Sequence, residues 1–314
     1  VLAVDTETTG LDAHKNRLRL VQIGAEGMPV LLIDCFSFLK DSRGTECLRE
    51  ILEGEAGKIF HNAKFDLQFL RKEGILPENI LDTMLAAELL RPCGGPRKVS
   101  LAAVSSHYLG TELDKTEQTG DWSGALTDTQ LEYAALDSRI LLQLWKCLKE
   151  QLRENGLERI ADIEFACVPA LARAEYDGIS LDLEQWERLC ADIQSQYERS
   201  LQALYAYSGE PSYQLTLWGG EEALDVNFDS NSYVLKLLKK NGISVSSTSR
   251  YSLAPYHNNP LVKALSDYRK YSKLLSGFLH PLPAQIHPVT GRLHPKYGQI
   301  GAYSGRMCCW GPNI

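Results

Sequence analysis

Two acids two residues apart, Asp5 and Glu7, close an apolar run that begins at Val1. In an extended strand that spacing puts both carboxylates on one face. A divalent metal, a basic partner or solvent must then offset them. Tyr133 and Asp137 are four residues apart, which on a helix places them on one face, one turn from each other. Asp66 lies in the segment HNAKFD, on what reads as a helix following Asn62. Taken singly, each has an ordinary explanation: a strand-end acid, an exposed polar stripe, a solvated helix position. Brought to one point, Asp5, Glu7, Asp66 and Asp137 would hold a charge of −4. Hard oxygen donors in that number suit two Mg²⁺- or Mn²⁺-like cations. Two such ions about 3.5–4 Å apart are a standard means of in-line displacement at phosphorus, one activating water and one steadying the leaving oxygen. Tyr133, with an ordinary pKa of about 10, is a poor base. A hydrogen bond that orients the attacking water is its better role.

The elements that must carry these residues are legible in outline. Val1–Val4, Leu18–Ile23, Pro29–Ile33 and Lys58–Phe60 read as strands, the first three spaced as a meander. Asn62 is positioned to cap a helix with Phe65, Phe69 and Leu70 on its apolar face. Helical periods follow over 82–90 and 100–108, and Thr127 with Gln130 forms a capping-box pattern before a helix reaching about Leu152. Beyond Asn155-Gly156 the chain reads as almost wholly helical, through 161–176, a helix capped by Asp182, 230–240 and 260–279. From Pro281 onward it is rich in turn formers. The fold class expected is α/β: a mixed sheet flanked by helices over 1–155, then a mostly α-helical region over 156–314.

Composition narrows the class further. The chain has 314 residues, 44% hydrophobic and 23% charged, as soluble globular proteins do. It contains no apolar run long enough to span a membrane, and no secretion signal. It opens on Val with a strand at once, which reads as a trimmed chain. Eight cysteines occur with no CxxC pair, which reads as reduced thiols. The net charge of −7 is unevenly spread: residues 226–314 hold eleven Lys/Arg against Asp229 and Asp267, a local +9, leaving −16 for 1–225. That asymmetry points to a nucleic-acid partner for the basic part.

VDTETTGLD, HNAKFD and YAALD, in this order, resemble the three exonuclease motifs of the DEDD superfamily. The Tyr four residues before the last Asp resembles its tyrosine subclass. Over about 1–155 the chain resembles the 3′→5′ proofreading domain of family A DNA polymerases. The second half resembles the same family. IADIEFACVPALARAEYDGISLD matches the lead into the thumb, FDSNSYVLKLL a thumb helix start, and NNPLVKALSDYRKYSKLLSGFL the long thumb helix with Arg269 and Lys273. TGRLHPKYGQIGAYSGRM matches the entry to the palm. Cys308, Cys309 and Trp310 depart from the usual ending of that last motif, and 208–228 departs as an insertion would.

The resemblance implies a ribonuclease H-like fold and two divalent cations (Mg or Mn, with Zn an alternative in one site). Asp5, Glu7, Asp66 and Asp137 would ligate them, beside a catalytic Tyr133. Thr6 and Asn62 would lie near the terminal nucleotide, and Thr9, Gly10 and Leu11 would border the groove. Lys273, Gln299 and Arg306 would contact duplex DNA. It further implies a monomer that takes a single-stranded 3′ end in the acidic part and duplex on the basic part. The compartment would be the cytoplasm or nucleoid for a bacterial or phage parent, with an organellar parent the alternative. The palm carboxylates expected next fall beyond Ile314, so polymerisation is not expected of this chain. Two other readings stay open: an exonuclease of the ribonuclease D or Werner type acting on RNA or DNA, and a non-catalytic nucleic-acid-binding module.

Overall fold

The computed structural model describes residues 1–91, 99–113, 120–209, 213–215, 221–223, 226–302 and 304–314. The chain divides into two compact units, one of Val1–Ile179 with His287–Ile314, the other of Ser180–Ile286.

In the first unit β1 (Leu2–Thr8), β2 (Leu18–Ala25) and β3 (Leu31–Asp34) form the expected antiparallel meander. Helices α1 (Cys35–Phe38) and α2 (Ser42–Leu52) lead to β4 (Lys58–Phe60), which lies parallel to β1. Then come α3 (Ala63–Lys72), β5 (Ile80–Asp82), α4 (Thr83–Leu90), α5 (Leu101–Leu109), α6 (Asp128–Glu154) and α7 (Glu158–Asp177). The sheet order is β3-β2-β1-β4-β5. A strand as short as β5 carries no readable period, and its residues merge in the sequence with the helix that follows.

β1 runs past the expected Val4, so Asp5 and Glu7 lie within the strand. β4 pairs with β1 only at Leu2 and Ala3. The half of β1 that carries the acids therefore has β2 along one side and no ladder with β4 along the other. A crevice opens at the carboxyl ends of the parallel pair, where open α/β sheets bind ligands.

Asn62 does not cap α3 as expected. It adopts a left-handed conformation (φ 67°, ψ 51°), and its side chain makes no capping bond. Asp82 takes that role from the end of β5. One of its oxygens accepts from Ala63 N at 2.8 Å. The other accepts from Asn62 N at 3.2 Å, Met84 N at 2.8 Å and Leu85 N at 3.2 Å. One buried carboxylate thus caps α3 and α4 together. By contrast the capping box of Thr127 and Gln130 forms as the sequence indicates. α6 then buries Ala134, Asp137, Ser138, Leu141, Leu144, Trp145 and Leu148 at helical spacing.

The second unit holds α8 (Leu183–Ser208), capped by Asp182, the short pair β6 (Tyr213–Leu215) and β7 (Glu221–Ala223), α9 (Asn231–Lys240), α10 (Arg250–Leu253) and α11 (Pro260–Leu274), which runs on as a π-helical turn to Leu279. Leu204, Phe228, Val234, Leu238, Leu261 and Leu265 form its core. Of the 208–228 segment singled out in the sequence, residues 210–212, 216–220 and 224–225 lie outside the described residues.

α7 lies beyond the expected boundary at 155/156 yet packs into the first unit's core through Ala161, Phe165, Val168 and Ala172. The chain then returns to that unit at His287, with the hairpin β8 (Lys296–Gly298) and β9 (Cys308–Trp310). His287 Nε2 meets Asp12 Oδ2 at 2.9 Å, and Ile179 bridges to Leu293. Gly178 holds φ +63°, and a Cβ there would fall 2.6 Å from the Leu293 carbonyl oxygen, so only glycine permits that bridge. All seven described cysteines are unpaired. Among the described residues no helix is long and apolar enough to cross a membrane.

Asp82→Ala is expected to destabilise the fold by roughly 2–4 kcal/mol, since two helix caps are lost and buried N–H groups are left unpaired. Asp82→Asn should fall between that variant and wild type. Chemical denaturation of the three proteins checks the order; an unchanged midpoint for Asp82→Ala would show that Asp82 does not hold the two helix starts.

Candidate active site

Asp5, Thr6 and Glu7 of β1, His61 and Asn62 of the β4–α3 turn, Asp66 of the first turn of α3, and Tyr133 and Asp137 of α6 line one cleft of about 790 Å³. The spacing arguments hold locally: the strand presents Asp5 and Glu7 on one face, and the helix presents Tyr133 and Asp137 on another. Asp66 enters from a helix start, where exposed N–H groups favour an anion. Its carboxylate accepts a 2.6 Å hydrogen bond from the Thr6 hydroxyl. Thr6, expected near a bound nucleotide, is itself buried and steadies Asp66.

Thr8, Thr9, Gly10 and Leu11 form the rim, with Leu11 86% exposed. A Cβ at Gly10 would meet the Asn16 side chain at 2.7 Å, so glycine lets the rim turn close over Asn16.

Asp66 and Asp137 are buried and Asp5 and Glu7 half-buried, and loss of water is the main force on each. It raises Asp137 to about 6, with a hydrogen bond from the Tyr133 hydroxyl pulling slightly the other way. It raises Asp5 to about 7, with the nearby Asp137 charge adding to it. Glu7 is raised to about 9 by burial, then by Asp5, Asp137 and Asp66. Asp66 is also held well above the usual carboxylate range, by burial and by Asp5. Tyr133 is pushed well above its ordinary value by burial and by Asp137, so its phenol stays protonated at neutral pH.

No Lys or Arg is among the described residues that line the cleft. His61 does not supply a charge either. Burial lowers it to about 4, and its ring is used up between Thr83 Oγ1 at 2.9 Å and the Val99 carbonyl at 2.8 Å. The donor set is therefore hard oxygen without a built-in counter-charge, which fits divalent cations of the Mg²⁺ or Mn²⁺ kind. Among the described residues no three His, Cys, Asp or Glu side chains are drawn together tightly enough to cage an ion. Like charges stand off from one another across the cleft.

Trp122 also lines the cleft, with its indole N–H buried and unpaired. Neither it nor His61 stands out in the sequence, because a lone Trp or His has no period to mark it.

None of the residues expected to meet duplex DNA is among those that line the cleft. Lys273, on α11 in the second unit, and Arg306, in the C-terminal segment, are exposed. Gln299 is not open to a ligand groove as expected: it is 4% exposed, and its amide donates to the Glu164 carbonyl at 2.8 Å and the Glu164 carboxylate at 2.7 Å.

Residues 1–153 match the 3′-5′ exonuclease family, and residues 184–314 match DNA polymerase family A. The chain is similar to DNA polymerase I of Aquifex aeolicus, 31% identical over 100% of this chain and 53% of the relative. It is also similar to ribonuclease D of Cronobacter turicensis, 32% identical over 49% of this chain and 41% of that protein. The chain thus spans about half the length of these relatives, and 26–28% of the DNA polymerase I proteins of Chloroflexus aurantiacus and Treponema pallidum. Among solved structures, the polymerase domain of Pol1 from M. smegmatis, in complex with DNA primer-template and dNTP, superposes with a TM-score of 0.73. It covers 100% of this chain and 51% of that one, at 21% identity, which speaks to the fold.

The raised carboxyls bind protons more tightly in the folded chain than in the unfolded one. Their contribution to stability is full below the ordinary carboxylate range and is lost as pH rises through about 6, 7 and 9. In EDTA, the melting temperature of wild type should fall between pH 5 and pH 9. The fall should be smaller for Asp5→Asn. Parallel pH profiles for the two proteins would mean that Asp5 is not repelled in the cleft.

Proposed function

We propose that this chain, which belongs to the family A DNA polymerases and carries their 3′-5′ exonuclease domain with part of the polymerase domain, removes nucleotides from DNA 3′ ends as a proofreading exonuclease. The observation that carries this reading is the set of four carboxyls and one phenol on a single cleft that has no cationic side chain among its described lining residues. Asp5, Glu7, Asp66 and Asp137 would hold two divalent cations, Mg or Mn, with Zn an alternative in one position. When bound, such ions supply Lewis acidity and the positive charge that a phosphate needs to approach four acids.

The chain's own residues do the rest. Thr6 keeps Asp66 turned toward the cleft through its hydrogen bond. Tyr133 retains its proton, so it acts by orientation: its hydroxyl donates to Asp137, and its lone pairs remain to align a water at the scissile phosphate. The rim of Thr8, Thr9, Gly10 and Leu11, with Asn62, would receive the terminal nucleotide. An apolar rim at Leu11 reads no base edge, which suits removal of any nucleotide.

The match of 184–314 to the polymerase family favours DNA over RNA, since the ribonuclease D likeness covers only 49% of the chain. The local +9 of residues 226–314 supports a duplex-holding role through backbone phosphates. Lys273 and Arg306 are exposed for it, whereas Gln299 is engaged with Glu164.

An end-labelled, 3′-recessed primer should be shortened in Mg²⁺ or Mn²⁺ and left intact in EDTA. Asp5→Ala should reduce that activity by about three orders of magnitude or more, as loss of a group central to transition-state charge does. It should leave the metal-free fold at least as stable. Tyr133→Phe should slow cleavage about 10²-fold with metal affinity kept. No shortening by wild type in either metal would leave the nucleic-acid-binding reading in its place.

A further inference from the structure

Four of the seven buried side-chain atoms without a partner, among the described residues, belong to Gln22, Trp122 and Ser138: Gln22 Nε2 and Oε1, Trp122 Nε1 and Ser138 Oγ. All three residues belong to the region where β1, β2 and α6 meet. In the β1–β2 register Asp5 stands opposite Gln22, Ala3 opposite Gly24, and Glu7 opposite Leu20. Alternation therefore puts Ala3, Asp5 and Glu7 on the same face as Gly24, Gln22 and Leu20. α6 lies against that face at Gly24, where a Cβ would be in ordinary contact with Ser138, 3.7 Å from its Cβ and 3.6 Å from its carbonyl oxygen. Gln22, 0% exposed, sits between Asp5 on the neighbouring strand and the α6 segment that carries Asp137 and Ser138.

A buried carboxamide with neither end bonded is costly, and an apolar side chain of the same shape would avoid that cost. The position opposite a cleft acid explains what the amide is for. Given the exonuclease reading above, on which this rests, we infer that Gln22 is a positioning residue for the cation site. Its N–H donates to the Asp5 carboxylate once cations fill the cleft, and the Ser138 hydroxyl donates to Gln22 Oε1. An amide suits this place for a physical reason. It lends Asp5 a directed donor with no charge, whereas a Lys would neutralise Asp5 and compete with the ion. Groups of this kind behind a ligating side chain fix its orientation and raise metal affinity.

The test is calorimetric titration of Mn²⁺ alone into the metal-free chain, paired with melting in EDTA, for wild type, Gln22→Met and Ser138→Ala. Gln22→Met keeps the length and volume of the side chain. It should melt at or above the wild-type temperature and bind Mn²⁺ about tenfold more weakly. Ser138→Ala should weaken Mn²⁺ in the same direction by a smaller factor, and it keeps the question answerable if Gln22→Met does not fold. Wild-type Mn²⁺ affinity in both variants would overturn the inference while leaving the exonuclease reading intact. A lower melting temperature for Gln22→Met in EDTA would also overturn it, because the amide would then be bonded without the ion. Wild type that takes up no Mn²⁺ would bring down the exonuclease reading, and this inference with it.

Discussion

Withdrawal of four facing carboxyls from water, with repulsion among them second, is the constraint around which the cleft of the first unit is arranged. Asp66 and Asp137 are 3% and 6% exposed, and the described residues of their cleft include no Lys or Arg. A chain left to relax would turn such groups to water, because each buried charge costs several kcal/mol if unpaired. They stay because each is fixed at its base by backbone that is held elsewhere. Asp5 and Glu7 are pinned by the β1–β2 ladder, Asp66 by the start of α3, and Asp137 by a helix with its own capping box. The acids hold protons more tightly in place of retreating, and their raised pKa values express that compromise. On the function proposed above, a divalent ion would replace those protons, and a cationic side chain of the protein would occupy the space that a phosphate needs.

α3 shows how completely the acids' positions are determined from behind. Its N-terminus is tied to the Asp82 carboxylate, and Lys64, two residues before Asp66, points to another side of the helix. There Lys64 pairs with Glu175 of α7 and with the Tyr297 carbonyl, while Glu175 also takes the Tyr297 N–H at 2.8 Å and the Gln68 amide at 3.0 Å. An ion pair this buried gives little net stability, but it admits few alternatives. It fixes the rotation of α3 about its own axis, and hence the direction from which Asp66 reaches the cleft.

Periodic features were legible in the sequence and long-range ones were not. The i, i+2 acids of β1, the i, i+4 pair of α6 and the Thr127–Gln130 box depend only on local geometry, and each has the form its spacing implies. Asn62 misled because its cap competes with Asp82, a residue 20 positions on whose closeness is created by the β4–β5 pairing. Gln299 misled for a similar reason. The family resemblance turns Gln299 toward duplex DNA, and only the packing of the C-terminal segment against α7 brings Glu164 to its amide. Gln22 carries no sequence mark at all, since a polar residue in a largely apolar strand breaks no rule until the strand opposite is known.

The return of residues 287–314 to the first unit has a consequence for how the charge asymmetry is to be understood. The +9 counted along 226–314 is divided between the two units at His287. Arg292 spends its guanidinium on the Asp177 and Gly178 carbonyls at 2.7 and 2.9 Å, and Arg269 on Thr248 at 2.7 Å. Cations so committed fix chain geometry and are less available to phosphates. What remains for a polyanion is the exposed subset, such as Lys239, Lys263 and Lys273 of the second unit, and Arg306 and Lys296 of the first, whereas Lys240 donates to the Ser208 carbonyl at 2.8 Å. Salt dependence counts phosphates actually neutralised. Its slope for this chain should therefore follow the exposed cations rather than the formal charge of the sequence segment.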